Sequence, residues 1–368
     1  MNYKQICFLI ILAVCCAASF IFVTHNETFY DRPIAKVIQT KVTDTTNVKD
    51  SRHNKDKLST QHITAELKNG KDKGQLIQLT NQYSLSKAYD QRYDVGDELF
   101  VTIDKTKKSS HLTGSIQDVK RDTYIVFAGW LFFFILLAVG KRQGLFSGIS
   151  LAVNAILLSY ALDIYVSNSN TNLLWICGII AVLFTVISLL LVNGFNEKTY
   201  AAIIATMIGT AASLIVTVVV MWVTSENGMH YEEMQFLTRP YKLVFMAGLF
   251  IGSLGAVMDV AITMSSSVFE LYQKNPDVSI KALKTSGMDI GKDIMGTMTN
   301  ILFFAYISGS IPALILYLKN ASPLGFTLSM NLSLELARAL AGGIGIVLTI
   351  PIGLYTTIFF VNRKRVKR

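Results

Sequence analysis

Charge is what this chain has least of. Only 16% of its 368 residues are Asp, Glu, Lys or Arg, while half are hydrophobic, and the mean hydropathy is +0.43. A soluble domain of this size carries roughly 25% charged residues, so that composition excludes an ordinary cytosolic enzyme and implies an integral membrane protein. Cysteine is also scarce. Cys7, Cys15, Cys16 and Cys177 all lie in apolar runs, so no disulfide framework is expected in the water-soluble part. No H-E-x-x-H, G-x-S-x-G or intramembrane aspartyl-protease G-x-G-D element occurs, so none of those three catalytic signatures is available. The segment from Ser286 to Asp293 has the Gly-Lys flavour of a phosphate loop. It lacks the four-residue spacer between glycines and puts an acid where Ser or Thr would hold Mg²⁺. The expectation is a protein that is not an enzyme, with no cofactor and no resident metal.

Eight apolar runs are long enough to cross about 30 Å of hydrocarbon, at 6–23, 124–139, 145–166, 173–192, 200–223, 243–271, 294–318 and 332–361. The fold class expected is a polytopic α-helical membrane protein of about eight transmembrane helices with a small extracytoplasmic β domain. Its parts are an N-terminal anchor over 1–24, read as retained rather than cleaved, the β-rich domain over 25–122, and seven helices with a basic tail over 123–368. Eight crossings put both termini on one side. Lys4, Lys141, Arg142, Lys198, Lys274, Lys281, Lys284, Lys292 and the tail from Arg363 to Arg368 would then share that side, against Arg239, Lys242 and Lys319 on the other. The positive-inside bias makes both termini cytoplasmic in a cell membrane, with Trp175 and Trp222 near the outer ends of their helices. The same topology accounts for the net charge of +9 through a tail lying on anionic headgroups, so no nucleic-acid partner is expected. The expected partners are the bilayer, an ion or small-molecule substrate, and a further copy of the chain.

Between the first two runs, apolar residues alternate in short stretches at 35–42, 63–67, 75–79 and 98–103, separated by turn signals at Lys68-Asn69-Gly70, Gly74 and Val95-Gly96-Asp97. Alternation with glycine-bearing turns predicts five or six strands in a compact barrel or sandwich, OB-like in kind. Residues 44–57 are polar and read as a mobile loop. His25, His53, His62 and His111 lack ligand-pair spacing and read as surface residues.

Two runs stand out as motifs: Gly255-Ala-Val-Met-Asp-Val-Ala-Ile-Thr263, and Ser286-Gly-Met-Asp-Ile-Gly-Lys-Asp-Ile-Met-Gly-Thr-Met-Thr-Asn300. With the stretch from Glu335 to Pro351, they make the chain resemble the YibE/F-like family of multi-pass membrane proteins, collinearly from the β domain to the last helix. The resemblance implies a fold and a membrane location and leaves the activity open.

The residues carry the argument further. Asp289, Asp293, Thr297 and Asn300 follow helical steps of four, four and three, and so do Asp259, Thr263 and Ser266 at four and three. Two polar stripes from consecutive helices predict a site for a hard cation or a proton, since oxygen ligands suit Na⁺, Mg²⁺ and Ca²⁺. Asp259, Asp293, Asn300, Thr297 and Thr263 are its candidate residues. The structural alternative pairs Asp259 with Lys292 and leaves Asp289 and Asp293 in water at a helix start, where the dipole favours them. Glu335 and Arg338, one turn apart, are expected to pair near the outer end and to serve as a gate. Gly342, Gly343, Gly345 and Pro351 would break or kink the last helix, or let it pack closely. The string Gly144-Leu-Phe-x-Gly148 recurs as Gly248-Leu-Phe-x-Gly252 and raises an inverted repeat. A permease or exporter, coupled to a cation or to protons, is the leading expectation. The rival is a non-transporting envelope scaffold or sensor that works through its β domain.

Overall fold

A computed structural model describes residues 3–49, 53–87, 90–104, 112–168, 171–234 and 240–366. His111, Arg239, Lys367 and Arg368, and the side chain of Lys4, lie outside the described residues. The chain divides into two compact units, Met1–Ile135 and Leu136–Arg368.

In the first unit, helix α1 (Tyr3–Thr24) leads into strands β1 (Ile34–Lys49), β2 (Lys55–Leu67), β3 (Leu76–Ser84), β4 (Glu98–Ile103) and β5 (Leu112–Val119). They close into a barrel in the order β1-β2-β3-β5-β4, with β3 and β5 parallel and the other pairs antiparallel. That order is the OB topology. Alternate residues fill the barrel: Val37, Ile63, Ala65, Leu67, Ile77, Leu79, Leu99 and Val101 are buried, the period of two that a strand imposes. Of the segment read as a mobile loop, 44–49 and 55–57 belong instead to a β-hairpin arm, paired from Asp44 opposite Thr60 to Lys49 opposite Lys55, while 50–52 lie outside the described residues. Its Thr and Val residues favour strand. It reads as loop because every position of β1 from Thr40 on is exposed or half-exposed, so no alternation betrays the ladder.

Polar side chains tie the barrel together. Fully buried Gln61 donates to the Tyr93 carbonyl at 2.6 Å and accepts from Tyr93 N and Asn81 Nδ2. Asn69 accepts from Ile34 N and donates within 3.0 Å to the carbonyls of Glu27, Tyr30 and Arg32, fixing the entry to β1.

Helix α2 (Asp122–Ser167) begins in the first unit and continues into the second. Lys120 Nζ, almost wholly buried, donates to the last-turn carbonyl of Val23 at 2.9 Å and to Glu98 at 2.7 Å, placing a cation at the negative end of α1. Asp122, in the first turn of α2, accepts from Tyr30 Oη at 2.6 Å and Asn26 Nδ2 at 3.1 Å. The Tyr30 hydroxyl pKa is raised by that bond. Lower down, Trp130 Nε1 donates to Ser19 Oγ at 2.7 Å. The barrel is therefore bolted to the end of one apolar helix and the start of the next.

The second unit holds the rest of α2 with α3 (Leu173–Asn193), α4 (Glu197–Val223), α5 (Tyr241–Lys274), α6 (Ile280–Ser308), α7 (Ile311–Lys319) and α8 (Leu324–Val366). Among the described residues, five helices are long and apolar enough to cross a membrane, or six if α6 and α7, bent by 53° at their break, make one span. Helix α2 is counted there as one, though it breaks at Lys141, whose φ of 46° is non-helical. The apolar part of α1 is the shorter Ile10–Thr24. The seventh run differs from its expected form: it breaks at Gly309 and Ser310, and α6 starts well before the apolar stretch, at Ile280. The eighth begins earlier than its apolar run, at Leu324, and passes through Pro351 without a break. The recurrent Gly-Leu-Phe strings occupy different settings. Gly144 abuts the Leu136 carbonyl just after the Lys141 break, whereas Gly248 sits inside an uninterrupted helix with nothing near its α-carbon face.

Helix α8 packs on α4, α5 and α6, and small residues set the approach. Added Cβ atoms at Gly342, Gly345 and Gly353 would meet Leu302, Ser213 with Val257, and Met264 respectively. Ser213 Oγ donates to the Ala341 carbonyl at 2.8 Å, and the hydroxyls of Thr357 and Ser265 hydrogen-bond at 3.0 Å. Without water to compete, such close contacts and interhelical hydrogen bonds carry helix association in a bilayer. A Gly345→Val substitution should therefore cost about 1–3 kcal/mol by overpacking and lower the thermal midpoint of the purified protein. Gly248→Ala, which meets open space, should leave it nearly unchanged.

Candidate functional site

Helix α5 is buried along most of its circumference, but one stripe is different. Gly248, Gly252, Gly255 and Asp259 are exposed, and Thr263 and Ser266 half-exposed, at steps of four, three, four, four and three that keep them on one face. A single carboxylate thus sits midway along a membrane-length helix, in a row otherwise made of glycines and hydroxyls. Among the described residues Asp259 makes no hydrogen bond or ion pair. The alternative pairing with Lys292 does not occur, because Lys292 Nζ lies 3.0 Å from Asp289 Oδ1, one turn away on its own helix.

On α6, Leu283, Gly287, Gly291 and Leu302 are buried, with Gly287 against Leu354 and Gly291 against Ile350. Asp289, Asp293, Thr297 and Asn300 fall on the other side of the helix and are exposed. Thr297 Oγ1 turns back to the Ile294 carbonyl at 2.9 Å. Each polar stripe keeps to one face of its helix, but among the described residues no hydrogen bond or ion pair joins the two. Asp259 and Thr263 on α5 share no hydrogen bond with Asp293, Thr297 or Asn300 on α6, and no group of three metal-binding side chains forms among the described residues.

At one end of the α5 stripe, Ser266 opens into a cavity of about 640 Å³ between α4, α5 and α8, which Glu197, Lys198, Glu270, Lys274 and Lys364 also line. Toward the other end, an added Cβ at Gly252 would strike the Tyr306 hydroxyl. Tyr306 belongs to a group that spacing did not reveal. Arg338 Nη1 pairs with Glu335, its guanidinium lies 5.3 Å from the Phe245 ring centroid, and both charges act on the Tyr306 hydroxyl. Tyr306 Oη, Arg338 Nε and Thr299 Oγ1 are all buried without a hydrogen-bond partner among the described residues. The available signal was a tyrosine in the middle of an apolar run, which reads first as packing. Beside this group, two apolar grooves of about 550 and 340 Å³ follow the α6–α8 crevice and share Phe303 and Leu340.

The α4–α5 connection covers the Phe245 end. Tyr231 packs 5.8 Å from the Phe245 ring and donates to Glu226 at 3.0 Å, while Glu226 pairs with Lys242. Lys242 holds the Glu226 carboxyl below the usual glutamate range, and burial pushes the Tyr231 hydroxyl well above its own.

Long apolar helices, one of them carrying an unpaired carboxylate on a stripe of small residues, together with a five-stranded barrel, define a polytopic membrane protein with an appended β domain. The family model for YibE/F-like protein matches residues 128–363, and that for the YibE/F family N-terminal domain matches residues 28–119. The chain belongs to the YibE/F-like family. No curated protein and no solved structure matches it.

The Glu226 pair gives a pH test. A carboxyl whose folded pKa is depressed contributes stability above its unfolded value, about 4.3, and loses it as pH falls through the folded one. Thermal midpoints measured from pH 7 to pH 3 should fall less steeply for Glu226→Gln than for the wild type, with the curves converging at the acid end.

Proposed function

We propose that the chain is a permease or exporter of the cell membrane, coupled to a cation or to protons, and not an enzyme. The observation that carries this reading is Asp259: an acid in the middle of an apolar helix, without a protein partner, on a row of Gly, Thr and Ser that leads from the Lys198 cavity toward Tyr306. An intramembrane carboxylate is costly and in most settings faces a polar path or a bundle interior. Here it serves as the ion-binding group, Thr263 and Ser266 supply further oxygens, and Asp293, Thr297 and Asn300 join from α6 when the break at Gly309 lets that helix move. Glu335 and Arg338, with Tyr306, close the far end of the row.

In this reading the chain crosses eight times: α1, the two halves of α2, α3, α4, α5, the broken pair α6–α7, and α8. Both termini are cytoplasmic and the barrel is extracytoplasmic. The break at Lys141 supports that count, since it divides α2 into two helices with Lys141 and Arg142 at the join, and the positive-inside rule puts basic residues at cytoplasmic turns. The scaffold or sensor reading draws on a different observation, the fastening of the barrel to α1 and α2 through Lys120 and Asp122, which would transmit a load on the barrel to the helices.

Reconstitution in liposomes separates the two. Internal pH and entrapped-cation dyes should report flux for the wild type that falls to background in Asp259→Asn, with thermal stability nearly unchanged. Full flux in the Asn variant would eliminate the intramembrane site, whereas removal of the arm 44–57 should matter most to a sensor.

A further inference from the structure

The cavity beside Ser266 has a chemistry that coupling at Asp259 does not use. It lies where α4 begins and α5 and α8 end, so three helix termini meet there, just past their apolar stretches. Each terminus brings a lysine: Lys198 from α4, Lys274 from α5 and Lys364 from α8. Two acids share the cavity and each has its own cation. Glu270 pairs with Lys274 at 2.8 Å, and Glu197 lies 3.6 Å from Lys364. Lys198 forms no ion pair among the described residues, which leaves the cavity with one positive charge in excess. Asn196, the N-cap, spends its side chain on Thr199 N and Oγ1 and on the Asn193 carbonyl. This cap takes Thr199 N and leaves the N–H groups of Glu197 and Lys198 without a partner among the described residues, and such groups favour an anion.

We propose that this cavity binds a phosphate group, with Lys198 as its principal contact. The chemistry is shared by an anionic phospholipid headgroup and by free phosphate. The location favours the lipid, because basic pockets between membrane helices at their cytoplasmic ends take anionic headgroups. Phe195 and Tyr200, at the same end of α4, are exposed and offer apolar surface to the acyl chains. Neither Asp259 nor transport is needed for this site; only its cytoplasmic side rests on the proposed topology, and the lysine comparison reads binding whichever side the cavity faces.

Thermal unfolding of the detergent-purified full-length chain, followed by tryptophan fluorescence, tests it. The probes are phosphatidylglycerol, phosphatidylcholine and inorganic phosphate, and the proteins are wild type, Lys198→Gln, and Lys281→Gln as an exposed control on α6. Phosphatidylglycerol should raise the wild-type midpoint and phosphatidylcholine should not. Lys198→Gln should need about fivefold more lipid for the same shift, the worth of one lysine–headgroup contact, while Lys281→Gln behaves as wild type. Stabilisation by inorganic phosphate with the same weakening in Lys198→Gln supports the site and identifies a soluble ligand. No stabilisation by either, or equal weakening in both lysine variants, overturns it.

Discussion

The close approach of α8 to α4, α5 and α6 is the constraint on which the membrane part rests. Association of helices in lipid gains nothing from the hydrophobic effect, so it depends on surface fit and on hydrogen bonds between helices. Gly342, Gly345 and Gly353 let side chains of the neighbouring helices seat directly against the α8 backbone, and threonines along the seams satisfy themselves on carbonyls one turn back, as Thr349 does on Gly345 and Thr357 on Gly353. With α8 held on three sides, α5 buries most of its surface. What remains of α5 is the one face that glycines, Asp259, Thr263 and Ser266 occupy.

A second constraint governs the other unit. A soluble barrel joined to apolar helices by short connections needs its polar termini satisfied at the junction. Lys120 and Asp122 do this with opposite charges at opposite helix ends, one on the last-turn carbonyl of Val23 and one in the first turn of α2. The same two residues fasten the barrel to the last turn of α1 and the first turn of α2.

Much of this was legible in the sequence, for a physical reason that also explains the failures. Periodicity reports burial on one face, so the barrel strands and the α5 and α6 polar stripes could be read from steps of two, three and four. The paired strands of the arm, 44–49 and 55–57, have two wet faces and therefore no period, and they read as a loop. The start of α6 at Ile280 was hidden because its first turns carry Lys281 and Lys284 and extend past the apolar run. Contacts between distant segments leave no local trace at all. The Tyr306–Gly252 contact, the unpaired Arg338 Nε and the three lysines of the Ser266 cavity arise only from packing, as does the separation of Asp259 from the α6 stripe.

The central claim is that the open face of α5 lines a water-accessible path. Single cysteines placed at Gly248, Gly255, Asp259, Thr263 and Ser266, in a background lacking the four native cysteines, test it by reaction with a membrane-impermeant thiol reagent in proteoliposomes. The account predicts labelling at these positions and none at the buried neighbours Val257 and Val260, with reactivity repeating every three to four residues. A face that is inert along its whole length, or as inert at Asp259 and Thr263 as at Val260, would contradict it.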